Sequence, residues 1–148
     1  MRVIIASVGR WHAGPERALY EHYTGRFAPL GKRLGLGAPE LLEVRDSARL
    51  GAAVPKDAIT IALDRQGKAL SSEAFAETLQ RLRAEDPVAL VFLIGGASGL
   101  PRALVAKAKL SLSLGAPTYP HLLVRGLLAE QLYRAATILL DHPYHRAG

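Results

Sequence analysis

The sequence predicts an α/β fold, a mostly parallel sheet covered by helices. Three observations predict it. Four short apolar runs rich in branched residues, Val3 to Val8, Glu40 to Val44, Ala58 to Leu63 and Val88 to Ile94, read as buried strands. Helical patterns separate most of them, and strands that alternate with helices join in parallel through helical crossovers. The length of 148 residues fits one domain spanning 1–148, large enough for a real core and too short for two comfortable ones.

Taken in order, each helix has its own signal. Pro15 to Phe27 opens with proline in its first turn, where a missing N–H costs nothing. Ser72 is placed to cap Glu73 to Arg83, with Phe75, Leu79 and Leu82 on one face. Pro101 begins a helix over Arg102 to Leu110, and Thr118-Tyr119 is the candidate for a short fifth strand. The longest pattern, Leu122 to Leu140, carries leucine, valine and isoleucine over more than the single stripe of a surface helix. It therefore needs two partners: its own sheet and a second subunit, giving a homodimer, or two layers of one domain. No internal repeat or low-complexity tract interrupts the chain.

Composition limits the partners. Lys plus Arg outnumber Asp plus Glu by 19 to 13, a net charge of +6 with a pI near 10.0. This favours a polyanionic partner, although a solvated basic surface has the same composition. The absence of cysteine removes disulfides, thiol nucleophiles and Cys-ligated zinc. The N-terminal apolar run is too short for a secretory signal, and no stretch approaches the roughly 20 apolar residues that cross a bilayer. A soluble, cytoplasmic protein with no membrane partner is the expectation.

Chemistry is concentrated at strand ends and in the tail. Ile94-Gly95-Gly96-Ala97-Ser98-Gly99-Leu100-Pro101 sets three glycines between a buried strand and a helix. In a parallel sheet that is the ligand edge, where glycine admits a ligand to backbone N–H groups; a tight strand-to-helix turn uses glycine equally well. It is not G-x-G-x-x-G, and no G-K-[ST] follows. Leu63-Asp64-Arg65-Gln66-Gly67-Lys68 closes the preceding strand, so two strand ends can converge on one pocket. There Asp64 can accept hydrogen bonds from a ligand or simply form the turn.

The chain ends in His142-Pro143-Tyr144-His145-Arg146, followed only by Ala147 and Gly148. His142 and His145 lack the H-E-x-x-H pattern, a cysteine or an acidic cluster that would complete a metal site, so no metal is expected. A histidine can instead move a proton, and an arginine can grip phosphate. Glu130 and Arg134, four apart on a helix, read as a surface ion pair. No nucleophile elbow or Ser-His-Asp pattern appears.

Several of these residues recur in order in a known family. They are Leu63-Asp64 with Gly67-Lys68, Ser71-Ser72-Glu73, Ile94-Gly95-Gly96-Ala97 with Gly99, Leu110-Ser111-Leu112-Ser113, Thr118 with His121, Val124-Arg125, Glu130-Gln131, Tyr133-Arg134-Ala135 and Pro143-Tyr144-His145. The chain resembles the bacterial large-subunit ribosomal RNA methyltransferases that modify N3 of a pseudouridine, minimal enzymes of the SPOUT superfamily. The match covers about Ala58 to Arg146, with weaker similarity at Ala6-Ser7-Val8-Gly9.

The resemblance implies a C-terminal trefoil knot around S-adenosylmethionine, a homodimer, and large-subunit rRNA presented by the assembled ribosome. It implies cofactor contacts at Leu63, at Gly95, and along Leu112, Ser113, Leu114, Gly115, Ala116, Pro117, Thr118 and Tyr119. Two departures stand out. Gly115-Ala116-Pro117 lengthens the loop before His121, and Arg45 to Asp57 lacks the fuller helix of the family.

The expected reaction is direct methyl transfer to N3, in which the protein chiefly positions two centres and N3 loses a proton. His145 is the candidate to assist that loss or fix the base; Tyr144 and Arg146 are candidates to position the nucleotide, with Arg125 and Arg134 as further RNA contacts. A SPOUT enzyme acting on another RNA site and a non-catalytic ribosome-binding protein are the competing classes. The convergent strand-end loops weigh against the second, because a docking module needs no small-molecule pocket.

Overall fold

The computed structural model describes residues 1–146; Ala147 and Gly148, the last two residues of the expected domain, lie outside the described residues. Five strands form one sheet: β1 (Arg2–Val8), β2 (Glu40–Val44), β3 (Ile59–Ala69), β4 (Ala89–Ile94) and β5 (Leu110–Ser113). Their order is β2-β1-β4-β3-β5, and every neighbouring pair is parallel. Four helices connect or cover them: α1 (Pro15–Arg33), α2 (Ser72–Ala84), α3 (Arg102–Lys107) and α4 (His121–Leu139).

The two inner strands show why the sheet is covered on both faces. Along β1 and β4, odd and even positions divide between two apolar clusters. Val3, Ile5, Leu90 and Phe92 join Tyr20, Phe27, Phe75, Leu79 and Leu128 under α1, α2 and α4. Ile4, Ala6, Val91 and Leu93 join Leu50 and Leu100 on the other face, with Leu104 and Val105 of α3 packed against them. Every residue of β4 is buried, as befits a strand with helices on both sides. Fully burying a side chain such as Phe92 contributes roughly 1.5–3 kcal/mol.

Several elements differ from the expectation. α1 runs six residues past Phe27, through Pro29, to Arg33. Packing overrides the breaker, because Phe27, Gly31 and Leu36 are buried together and a Cβ on Gly31 would stand 2.5 Å from the Phe27 ring. The cap of α2 is Ser71, whose Oγ accepts from the Ala74 N–H at 3.0 Å. Ser72 is the first helical residue and donates to Gln131 Oε1 at 2.8 Å, tying α2 to α4.

β3 does not close at Asp64. Leu63 and Lys68 both pair with Leu112, so Asp64 to Gly67 bulge out and the strand resumes to Ala69. α3 stops at Lys107, because Lys109 donates to Thr60 O at 2.9 Å and Leu110 already pairs with Ile61. The fifth strand is therefore Leu110–Ser113, and Thr118-Tyr119 belong to the loop after it. Two short 3-10 turns, Ser47–Arg49 and Gly51–Ala53, fill the segment expected to lack a full helix.

Within the chain, α4 packs against α1 on one flank and α2 on the other. Leu122, Leu123 and Leu127 remain half-buried. Among the described residues, no helix is long and apolar enough to cross a membrane.

Candidate functional site

The bulge of β3 and the C-terminal ends of β4 and β5 line a cavity of about 1030 Å³. All ten residues expected to contact a cofactor line it: Leu63, Gly95, and Leu112 through Tyr119. Each segment has a local reason to be there. The four-residue bulge after Leu63 throws Asp64, Arg65 and Gln66 toward the cavity, and it needs Gly67, whose Cβ would lie 2.6 Å from the Ser111 backbone. The loop after β4 folds back on itself, Gly99 N donating to Gly96 O at 3.0 Å. A Cβ on Gly95 would stand 2.5 Å from the Gly99 carbonyl carbon, backbone that cannot move aside.

The third segment is held by one side chain. Ser113 Oγ donates to Gly115 O and accepts from Gly115 N, both at 3.1 Å, while Gly115 takes φ +110. This turn belongs to the loop expected to be longer than in the family. Asp64 has two roles: Oδ1 accepts from the Gln66 N–H at 3.4 Å, shaping the bulge, and Oδ2 accepts from Arg102 Nη1 at 3.2 Å. Its carboxylate is 13 % exposed, turned toward the cavity rather than to bulk water.

Sequence reasoning missed Arg102, His121 and Val124, which also line the cavity. Arg102 had a legible signal, the first helical position after the glycine loop. His121 and Val124 depend on where α4 docks, which no local pattern states.

The tail lies elsewhere in the same chain. Tyr144 packs its ring 4.6 Å from that of Tyr133, and its hydroxyl donates to Glu130 Oε2 at 2.7 Å. Burial first, and then that hydrogen bond, push its phenol well above the ordinary tyrosine range. His145 sits between Arg134 Nη1, 3.1 Å from Nδ1, and Glu73 Oε1, 2.5 Å from Nε2. A guanidinium can only donate, so Nδ1 accepts and the proton on Nε2 points at Glu73. The Glu73 carboxyl is held below its usual range, first by its own backbone N–H and then by His145. Arg146 is exposed. None of these three residues lines the cavity.

Two sequence expectations change here. Glu130 and Arg134 are no simple surface pair: their side chains are 16 % and 24 % exposed, and they carry Tyr144 and His145 as well as each other. Arg125 offers nothing to RNA, because it is completely buried. Its Nε donates to Ser7 Oγ at 2.9 Å, Nη1 to Glu43 Oε2 at 2.8 Å, and Nη2 to the carbonyls of Val8 and Gly9 at 3.2 and 3.0 Å, while Trp11 covers its face at 4.5 Å. The side chain bolts α4 to the ends of β1 and β2. Among the described residues, no group of three or more His, Cys, Asp or Glu is placed to hold a metal ion.

A family model described as a predicted SPOUT methyltransferase matches residues 1–145. The chain belongs to the SPOUT methyltransferase family. Curated relatives agree along the full length: the ribosomal RNA large subunit methyltransferase H of Nitrobacter winogradskyi is 46 % identical, covering 99 % of each chain. That of Rhodospirillum rubrum is also 46 % identical, covering 99 % of this chain and 100 % of the relative. Solved structures share the fold at much lower identity. A probable methylase family protein from Haemophilus influenzae superposes with a TM-score of 0.55 at 13 % identity, over 96 % of this chain and 67 % of that one. A probable methyltransferase from Bordetella pertussis does so with 0.53 at 15 %, over 90 % and 93 %. The strand-end cavity is thus the candidate active site of a SPOUT methyltransferase.

Proposed function

We propose that this protein is an S-adenosylmethionine-dependent methyltransferase that methylates N3 of a pseudouridine in large-subunit ribosomal RNA, and that it works as a homodimer. The observation that carries the proposal is the convergence of three strand-end segments on one cavity in a chain 46 % identical to named large-subunit rRNA methyltransferases.

The cavity suits the cofactor. Its volume of about 1030 Å³ lies at the upper end of the range of small-molecule and cofactor sites. Leu63, Ile94, Leu112, Leu114 and Val124 give it apolar walls for a flat purine. Gly95 and Gly96 let the loop after β4 fold against Gly99 and Val8, and at Gly99, where a Cβ would meet nothing within 4 Å, a ligand can approach the backbone closely. Asp64 and Arg102 present charge of both signs to an amino-acid moiety. When bound, the cofactor supplies an electrophilic methyl group on a sulfonium.

The protein's share is orientation and the proton on N3. Tyr144 serves as a positioning residue, since its hydroxyl is committed to Glu130 and its phenol resists ionisation. His145 is the proton acceptor or base-fixing group, its Nδ1 freed when Arg134 turns to phosphate; Arg146 reaches the RNA backbone. Val124 lines the cavity and Arg134 holds the tail, and a step of about ten positions along α4 puts roughly 15 Å between the two along the helix axis. A tail anchored there serves a cavity on the second subunit, and this is the reason for a dimer. The trefoil knot belongs to the same reading, with the strand-end loops as its crossing segments.

The test is twofold. Calorimetry with S-adenosylmethionine reads the pocket, and mass spectrometry of ribosomal RNA from a deletion strain reads the target. Absence of cofactor binding sinks the enzyme; an rRNA in which no pseudouridine loses a methyl group sinks the substrate.

A further inference from the structure

On the same sheet edge, at the ends of β1 and β2, lies a second hollow of about 890 Å³. Gly9, Arg10, Glu43, Arg45 and Arg49 line it, with the 3-10 turn at Ala52 closing one side. Three guanidinium groups meet one carboxylate there, and that carboxylate is already engaged. Glu43 Oε2 accepts from buried Arg125 at 2.8 Å and from the Trp11 N–H at 2.8 Å. Arg10 and Arg45 have no carboxylate partner among the described residues, and Arg49 reaches Asp46 only at 3.5 Å, with both side chains more than half exposed at 61 % and 52 %. The hollow therefore carries positive charge that the protein does not neutralise.

The hollow and the cofactor cavity share a wall. A Cβ on Gly9, which lines the hollow, would lie 3.3 Å from Nε2 of His121, which lines the cavity. Ser47 Oγ donates to Gly99 O at 3.4 Å, joining the turn that carries Arg49 to the glycine loop. A Cβ on Gly96 would touch the Val8 side chain at 3.1 Å, so the end of β1 abuts the loop after β4.

We propose that this arginine-lined hollow is a phosphate subsite for the acceptor RNA. Arg10, Arg45 and Arg49 hold the phosphodiester backbone beside the target nucleotide while its base enters the neighbouring cavity. The inference rests on the methyltransferase reading and adds an RNA contact within the chain that holds the cofactor, independent of the tail. Arginine suits the role because its planar fork pairs with two phosphate oxygens at once. Such contacts position the RNA without reading its sequence.

The test compares two double variants of the full-length protein that lose equal charge. R10A/R45A removes two of the three guanidinium groups of the hollow; K32A/R33A removes two exposed cations from the last turn of α1, near Gly35, whose carbonyl binds the Met1 ammonium at the opposite sheet edge. Co-sedimentation with purified ribosomes reads affinity, methyl transfer reads KM and kcat, and calorimetry reads S-adenosylmethionine. R10A/R45A is expected to lower ribosome affinity and raise KM by about ten-fold or more, and to flatten the plot of log affinity against log salt by roughly one to two. Its kcat and cofactor affinity stay within about two-fold of wild type, and R10K/R45K recovers the salt slope because it keeps the charge.

Equal losses from both double variants, or unchanged ribosome affinity in a folded R10A/R45A protein, overturn the subsite. A wild-type protein that transfers no methyl group overturns the methyltransferase reading instead, while co-sedimentation still reads the hollow.

Discussion

Arg125 Nη1 lies 2.8 Å from Glu43 Oε2, joining a fully buried guanidinium on α4 to the end of β2. The same guanidinium also closes the end of β1 through Ser7, Val8 and Gly9. Truncation would strand Ser7 and two carbonyls as well as the carboxylate. Glu43 keeps partial access to water, which softens the loss. Arg125→Ala is expected to lower stability by ~2–4 kcal/mol in urea unfolding, and Arg125→Lys by a comparable amount, since an ammonium cannot reach all four acceptors. A change below the error of the measurement would show that the bolt is dispensable.

Gly95 tests the cavity without touching its polar groups. An added Cβ meets Gly99 backbone at 2.5 Å, so the loop after β4 must shift. Gly95→Ala is expected to weaken S-adenosylmethionine binding by about ten-fold or more in calorimetry, equivalent to at least ~1.4 kcal/mol. Gly25, inside α1 with open space around it, is the control. Gly25→Ala should leave cofactor binding alone and stabilise the fold by roughly 0.5–1 kcal/mol.

The two serines before α2 separate capping from packing. Ser71→Ala removes the acceptor for the Ala74 N–H and is expected to cost about 1 kcal/mol in thermal or chemical unfolding. Ser72→Ala breaks the link to Gln131 instead. The capping assignment fails if Ser71→Ala is silent.

Two tyrosines should titrate late. Burial pushes the Tyr20 phenol up to about 12, and burial with the Glu130 hydrogen bond raises that of Tyr144. A folded-state value above the unfolded one means that the neutral phenol contributes stability, fully present below the ordinary tyrosine value near 10. That contribution is lost as pH climbs through the raised values. Ultraviolet titration of tyrosinate should show Tyr20→Phe and Tyr144→Phe each deleting a late component, and loss of an early component from either variant would contradict the burial argument.

His145→Ala is expected to lower kcat by roughly 10²-fold or more, with cofactor affinity unchanged. Arg134→Ala, which frees Nδ1 and the tail, should raise KM for ribosomes. If His145→Ala turns over like wild type, the histidine leaves the catalytic assignment.

Much of the scaffold was legible in residues alone because buried parallel strands are local events. Branched apolar runs located β1, β2 and β4, and the alternating order supplied the sheet class. Where neighbours decide, local signals failed. Pro29 stops a helix unless Phe27 and Gly31 are already packed, Ser71 and Ser72 are both good caps until Gln131 claims one, and Leu110–Ser113 is too short to announce itself until it pairs with β3.

By itself, the sequence determined a parallel α/β domain, its family, and the three glycine-bearing segments that end at one edge. Those follow from strand period, from turn chemistry and from an ordered set of residue types, all carried by short stretches of chain. Only the tertiary structure decided that Arg125 is a bolt, that Arg10, Arg45 and Arg49 meet in one hollow, that Glu130 and Arg134 are a half-buried anchor, and that the tail stands away from its own cavity. The reason is electrostatic: what a charge can do depends on burial and on which carboxylate is already engaged, and both are set by residues distant in sequence.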